Sequence, residues 1–230
     1  RETANKIGLR KYLRLPSELK LMGDCGAFGY VSDERPPFTT AEIIEYYKQM
    51  KFDLAVSIDH IVLPQFSDQN KFRYELTIEN ALEFLKLSKL AKVDFTPIGS
   101  ILGWDSESYV RAAETLADAG SEYVAIGGLA RSPNSVVLDI CSAVAGAIPG
   151  IKIHVFGIAR SNVASAFAKL GIESADSASP LRQAWLSAKD NYYTPDRTYA
   201  AIRIPVTKEQ RAISDSPTNS SSASYSDLNT

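Results

Sequence analysis

The chain has 230 residues, is 45% hydrophobic and carries a formal net charge of −2, as expected of a globular protein with a core. No overall basic field is present to draw in nucleic acid, so any such contact would need a local basic patch. Cys25 and Cys141 are too few for a disulfide framework and fit a reducing, cytoplasmic setting. No apolar run approaches the roughly 20 residues that span a bilayer. The opening Arg1-Glu2-Thr3-Ala4-Asn5-Lys6 has no apolar signal region, so no membrane partner is expected.

After an N-terminal segment (1–19), Lys20 to Asp24 predicts a short strand ending in a glycine-bearing turn. Thr39 or Thr40 can cap a helix running through Ile43, Ile44, Tyr47 and Met50, with Glu42 near its positive end. Leu54 to Ile58 predicts a strand ending at Asp59, and a helix follows from about Tyr74 to Ala91, with Leu76, Ala81, Leu82, Leu85 and Leu90 on its apolar face. Phe95 to Leu102 reads as strand, and Ser106 to Ala119 as a helix stopped by Gly120. Tyr123 to Ile126 is a strand running into Gly127-Gly128, and Asn134 to Ala147 is helical. Ile151 to Phe156 is a strand closed by Gly157. Ser161 caps a helix ending at Gly171, and Ile172 leads into a strand finishing at Asp176. Residues 213–230, rich in Ser, Thr, Asn and Asp, predict a disordered tail.

Strands alternating with helices of this length predict βαβ units and a parallel sheet. Six strands suit either a doubly wound sheet or a TIM barrel. The first strand is not followed by Gly-x-Gly-x-x-Gly and there is no P-loop, so the nucleotide-binding open sheet loses support. The expected fold is α/β, a TIM (β/α)8-type barrel over residues 20–212. The chain starts at Arg1 rather than Met, and one or two strands are expected outside it.

In either architecture ligands bind at the carboxyl ends of the strands, where Asp24, Asp59, Gly103-Trp104, Gly127-Gly128, Gly157 and Asp176 fall. One aspartate at such a place often does no more than cap the next turn. Three on separate strands converge on one face and point to a site. Arg131, Arg160 and Arg182 follow strand ends and suit either phosphate contacts or solvated loops. Trp104 could stack on a base or pack beneath its loop. His60 reads as a supporting or capping residue, and His154, in mid-strand, as a packed barrel residue.

These residues carry a resemblance. Asp24-Cys25-Gly26-Ala27-Phe28 resembles the Asp-Ser-Gly-Gly-Phe motif of tRNA-guanine transglycosylases. Ser57-Ile58-Asp59 resembles their second strand-end aspartate, and Gly127-Gly128-Leu129-Ala130 their Gly-Gly-Leu-Ala segment. Val155-Phe156-Gly157-Ile158 and Asp176-Ser177 fall where that family has its glycine-bearing strand and nucleophilic aspartate. Order and spacing agree over about Lys20 to Arg182, and the chain is most similar to the branch that inserts 7-deazaguanine into DNA.

The resemblance implies exchange of guanine for a 7-deazaguanine base in a nucleic acid, through a covalent glycosyl-enzyme intermediate. It implies Asp176 as nucleophile and Asp24 as general acid/base. Asp59 would read the base edge, with Gly103, Gly127, Gly128 and Leu129 completing the base contacts. DNA is the expected partner ahead of tRNA, with partner proteins from a modification cluster conceivable. A non-catalytic nucleic-acid-binding homologue is the alternative from a different class. Two departures stand out. Leu102-Gly103 replaces the family's Gln-Gly, and a leucine side chain cannot hydrogen-bond a purine. The Cys-x-Cys-x-x-Cys zinc motif is missing downstream of Asp176, so no metal or cofactor is expected in this chain and zinc only from a segment outside it.

Overall fold

The computed structural model describes residues 2–158, 160–186, 189, 191–193 and 197–200. They belong to two compact units, Arg1–Ser179 and Pro180–Thr230. The first opens with two short helices, α1 (Glu2–Ile7) and α2 (Leu9–Leu13), in the segment for which the sequence predicted no element. Arg10 ties them down: its guanidinium pairs with Asp53 and donates to the Leu19 carbonyl at 2.6 Å. Asp53 in turn accepts from the Leu21 N–H, so one carboxylate anchors the N-terminal ends of the first two strands.

From there the chain alternates: β1 (Met22–Gly23), α3 (Thr40–Met50), β2 (Leu54–Val56), α4 (Asn70–Ala91), β3 (Thr96–Ile101), α5 (Ser106–Asp118), β4 (Tyr123–Ile126), α6 (Asn134–Ala147), β5 (Lys152–Val155), α7 (Ser161–Leu170) and β6 (Ser174–Ala175). Local chemistry explains the boundaries. Thr39 and Glu42 form a reciprocal capping box at the start of α3. Asp105 accepts from the Ser108 N–H at 2.8 Å to open α5, and Gly171, at φ 71°, ends α7. The N-cap of α7 is Arg160, one residue before the predicted Ser161.

Helix α4 begins a turn before the hydrophobic pattern does. The reason is Arg73, a charged residue at a buried position. Its guanidinium donates to the Ile61 carbonyl and to Gln69 Oε1, and lies 4.0 Å from the centre of the Phe66 ring. A charge where periodicity asks for an apolar residue hides that turn from a hydropathy reading.

All six strands are parallel and pair in their sequence order, β1 to β6. Parallel neighbours joined by same-handed crossovers put every helix on one face. A doubly wound sheet would reverse its strand order and carry helices on both. Side-chain alternation follows. Val124, Ile126, Ile153 and Val155 pack on the helices with Leu116, Val137 and Val144, forming the main core. The opposite parity, with Val56, Ile98, Tyr123 and Ala125 buried and Met22, Leu54 and Phe156 against them, gathers into a separate cluster.

In a flat sheet β1 and β6 would stand about 24 Å apart, five strand spacings. Yet Asp24, beyond β1, is electrostatically perturbed by both Asp176, beyond β6, and His154 on β5. Charges that far apart in water are largely screened from one another. The sheet therefore curls, and the first unit is an α/β half-barrel of TIM type.

The second unit contains α8 (Ser179–Leu186) and an antiparallel pair, β7 (Tyr192–Tyr193) with β8 (Thr198–Tyr199). Residues 201–212, read with the barrel, and the tail 213–230 lie outside the described residues. No described helix is long and apolar enough to cross a membrane.

Candidate active site

Period-two geometry aims the site. Met22 is on the inward face, so Asp24, two residues on, continues that face at the carboxyl end of β1. The same spacing carries Ser174 to Asp176. His154 is in register with Ala125 on β4 and Ser174 on β6, which turns its ring inward too. The apolar inner cluster thus ends in a polar rim.

Asp176 is held by donors. Its Oδ1 accepts from the Gly157 N–H at 2.8 Å and lies 3.5 Å from His154 Nε2. His154, and less strongly the Gly157 N–H, hold its carboxyl below the usual carboxylate range, with partial burial opposing. Asp176 is therefore ionised at neutral pH.

Asp24 differs. Its side chain is exposed, yet the protein around it desolvates the carboxyl and so raises its pKa. The Gly26 and Cys25 N–H groups oppose the rise, while the charge on Asp176 adds to it. Asp59 is only 7% exposed, and burial, reinforced by Asp24, lifts its pKa to about 7. The nearby Ser100 hydroxyl pulls the other way, although neither Ser100 Oγ nor Asp59 Oδ1 makes a hydrogen bond of ordinary geometry. A buried carboxyl oxygen with no partner is an acceptor waiting for a donor.

The glycine segments are packed as well as positioned. A Cβ on Gly103 would strike Ser108 Oγ and the Tyr109 ring, so this glycine lets the start of α5 close on β3. Both backbone groups of Gly127 are engaged: its N–H donates to the Ile101 carbonyl at 3.0 Å, and its carbonyl accepts from Tyr109 Oη at 2.7 Å. Gly128, at φ 80°, is exposed, whereas the Leu129 side chain is buried in the helix-facing core. Only the backbone of Leu129 is thus left for a base contact. Leu102 is buried, its Cδ2 against Gly127 and Gly128. It fills space behind the glycines.

Arg160 clamps the loop after β4, donating to the Ser132 and Ala130 carbonyls at 3.0 Å and to Asn134 Oδ1. Those bonds commit its guanidinium to the fold, whereas Arg131 is exposed. Arg182 lies on α8, in the second unit. Trp104 is 50% exposed with its ring 5.2 Å from that of Tyr74, and Phe28, after Asp24, is 71% exposed. Cys25 turns away from the rim: its Sγ lies 3.3 Å from Tyr47 Oη, and burial pushes the thiol pKa up, so it is no nucleophile. Among the described residues no group of three or more His, Cys, Asp or Glu is arranged to hold a metal ion.

Two contributors escaped the sequence reading. His154 touches Asp176 rather than serving only as packing. The loop over 30–38 is fastened over the Asp59–His60 segment. Tyr30 Oη donates to the Asp59 carbonyl at 2.9 Å, and its ring meets Phe38 and His60 edge-on. The Asp33 carbonyl accepts from His60 Nε2 at 2.9 Å, and burial lowers the His60 pKa, so that ring is neutral. An aromatic next to the first motif was the available signal for Tyr30. His154 had one too, since it shares strand parity with Phe156.

The parallel half-barrel thus carries aspartates beyond β1, β2 and β6 and a Gly-Gly turn after β4. No family model matches the chain. Over 210 residues it is 34% identical to a curated relative, the DNA-guanine transglycosylase of Salmonella montevideo. The match takes in 86% of this chain and 50% of that enzyme, so the chain spans half the length of its relative.

Proposed function

We propose that the protein is a guanine transglycosylase that exchanges guanine in DNA for a 7-deazaguanine base through a covalent aspartyl intermediate. The observation that carries this reading is the opposed tuning of two carboxyls on one rim: Asp176 lowered by donors, Asp24 raised by desolvation. Splitting like groups this way is how one site holds a nucleophile and an acid together.

The ionised Asp176 attacks the glycosidic carbon as its bond to the guanine nitrogen breaks. Asp24, protonated, gives its proton to the departing base. The incoming base then displaces the aspartyl ester, and Asp24 takes the proton its nitrogen sheds. Two inversions leave the sugar configuration and the backbone as they were. Asp59 accepts from the N1–H and amino group of the purine, donors that its unpartnered Oδ1 lacks. The base reaches this rim only out of the stack. The name of the Salmonella relative favours DNA.

The test is incubation of the whole protein with radiolabelled guanine and either DNA or tRNA. Label should enter DNA; label in tRNA alone would replace the substrate, and label in neither would favour a non-catalytic binding protein. Asp176→Asn should abolish any covalent protein–nucleic acid adduct, and an undiminished adduct would remove Asp176 from the nucleophile's role.

A further inference from the structure

His154 is almost wholly buried, yet its two ring nitrogens meet different chemistry. Nδ1 lies 2.7 Å from Ser174 Oγ, which itself lies 2.7 Å from Tyr123 Oη. Nε2 has no ordinary hydrogen-bond partner and faces Asp176 Oδ1 at 3.5 Å. We infer that Tyr123, Ser174 and His154 form a directed relay that turns the Nε2–H of His154 onto Oδ1 of Asp176 and leaves Oδ2 as the attacking oxygen.

Direction follows from what each group can donate. Burial raises the Tyr123 pKa, so its hydroxyl keeps its proton and donates to Ser174 Oγ. The Ser174 hydroxyl then donates to Nδ1, which places the ring proton on Nε2. The opposite order would aim the Nε2 lone pair at the Asp176 carboxylate, which electrostatics disfavours unless the ring is charged; a charged ring also presents an N–H there. In every favourable state, then, Asp176 faces a donor. The Gly157 N–H falls on the same oxygen, at 2.8 Å. Two donors on Oδ1 hold the negative charge there and fix the plane of the carboxyl group. The 3.5 Å contact is long for a hydrogen bond and has room to shorten when a substrate is bound.

The relay spans three strands in register. Ala125, His154 and Ser174 are neighbours across β4, β5 and β6, and Tyr123 lies two residues before Ala125 on the same face. Phe156 closes the other side, its ring 4.6 Å from the imidazole and nearly perpendicular to it. The titratable groups around Asp176 are thus Asp24 beyond β1, Tyr123 on β4 and His154 on β5. His154 is a positioning residue that acts through Asp176.

The inference rests on the proposed reaction for its consequence, but not for its test. Carbon-13 NMR titration of the Asp176 carboxyl in the whole protein reports the relay directly. His154→Leu should move the midpoint upward, His154→Gln should keep it close to the parent because an amide N–H replaces the ring donor, and Ser174→Ala should move it partway. Single-turnover adduct formation should slow about 10- to 100-fold in His154→Leu, the worth of a hydrogen bond to a charged group, with KM unchanged. Gln should restore most of that rate. An unmoved Asp176 midpoint in both His154→Leu and Ser174→Ala overturns the inference, as does a glutamine variant as impaired as leucine. If the parent protein forms no adduct, the proposed function fails while the titration still judges His154.

Discussion

Beyond β1 and β2, Asp24 and Asp59 are carboxyls desolvated by the protein around them, whereas beyond β6 Asp176 accepts from a backbone N–H and faces an imidazole. The same side chain is pushed toward its neutral form at one side of the half-barrel and held as an anion at the other. The cause is not solvent exposure alone, since Asp24 and Asp176 are both reached by solvent. It is the supply of donors. Asp176 has His154 and Gly157, and against them desolvation is the smaller effect. At Asp24 and Asp59 desolvation outweighs the donors present.

The largest expected effect on this contrast comes from Asp24→Asn. The substitution keeps the shape and removes the transferable proton, so base exchange should fall by about 10²- to 10⁴-fold, the usual worth of general acid–base catalysis. Label incorporation measures it. A fall below tenfold would mean that Asp24 need not carry a proton and that its raised pKa has another purpose.

A second test uses pH and stability. A buried carboxyl titrating at about 7 binds a proton that the unfolded chain has lost above about 4. Between those values the folded state holds more protons, so the Asp59 contribution to stability declines as pH rises and levels off above 7. Asp176 has the opposite sign: its lowered pKa stabilises the fold above the unfolded value, and that gain disappears as pH falls through the folded one. Denaturant unfolding from pH 4 to 8 should show a flatter profile in Asp59→Asn than in the parent. An unchanged slope would mean that Asp59 is ionised throughout.

The smallest expected effect is that of Tyr30→Phe, which removes the hydroxyl donating to the Asp59 carbonyl. It should cost about 1 kcal/mol in denaturant unfolding, the typical net worth of such a bond. Weakened guanine binding in the same variant would show that the 30–38 loop holds Asp59 in place for the base. Unchanged binding would confine the loop to stability.

Much of this was legible in the sequence because it is encoded at short range. Short apolar runs marked the six strands, Thr39 with Glu42 marked a helix start, and the glycines at 120 and 171 marked two ends. Asp24, Asp59 and Asp176 were visible because each follows a recognisable strand. What was missed depends on neighbours distant in sequence. Leu102 looked like a lost hydrogen-bonding group, but in the fold it is the filler behind Gly127 and Gly128. Arg160 suited either a phosphate contact or a solvated loop, but three acceptors from the loop after β4 and the start of α6 engage it. Arg73, just outside the helix read from about Tyr74, proved to be buried within it.

The sequence by itself determined the parallel α/β class and the three aspartates at strand ends, because period-two and period-3.6 patterns and turn residues act over a few positions. Only the tertiary structure decided that Asp24 and Asp176 feel each other and that their pKa values part in opposite directions. Those outcomes depend on distances between strands far apart in the chain, and on which carboxyl finds donors when it loses water.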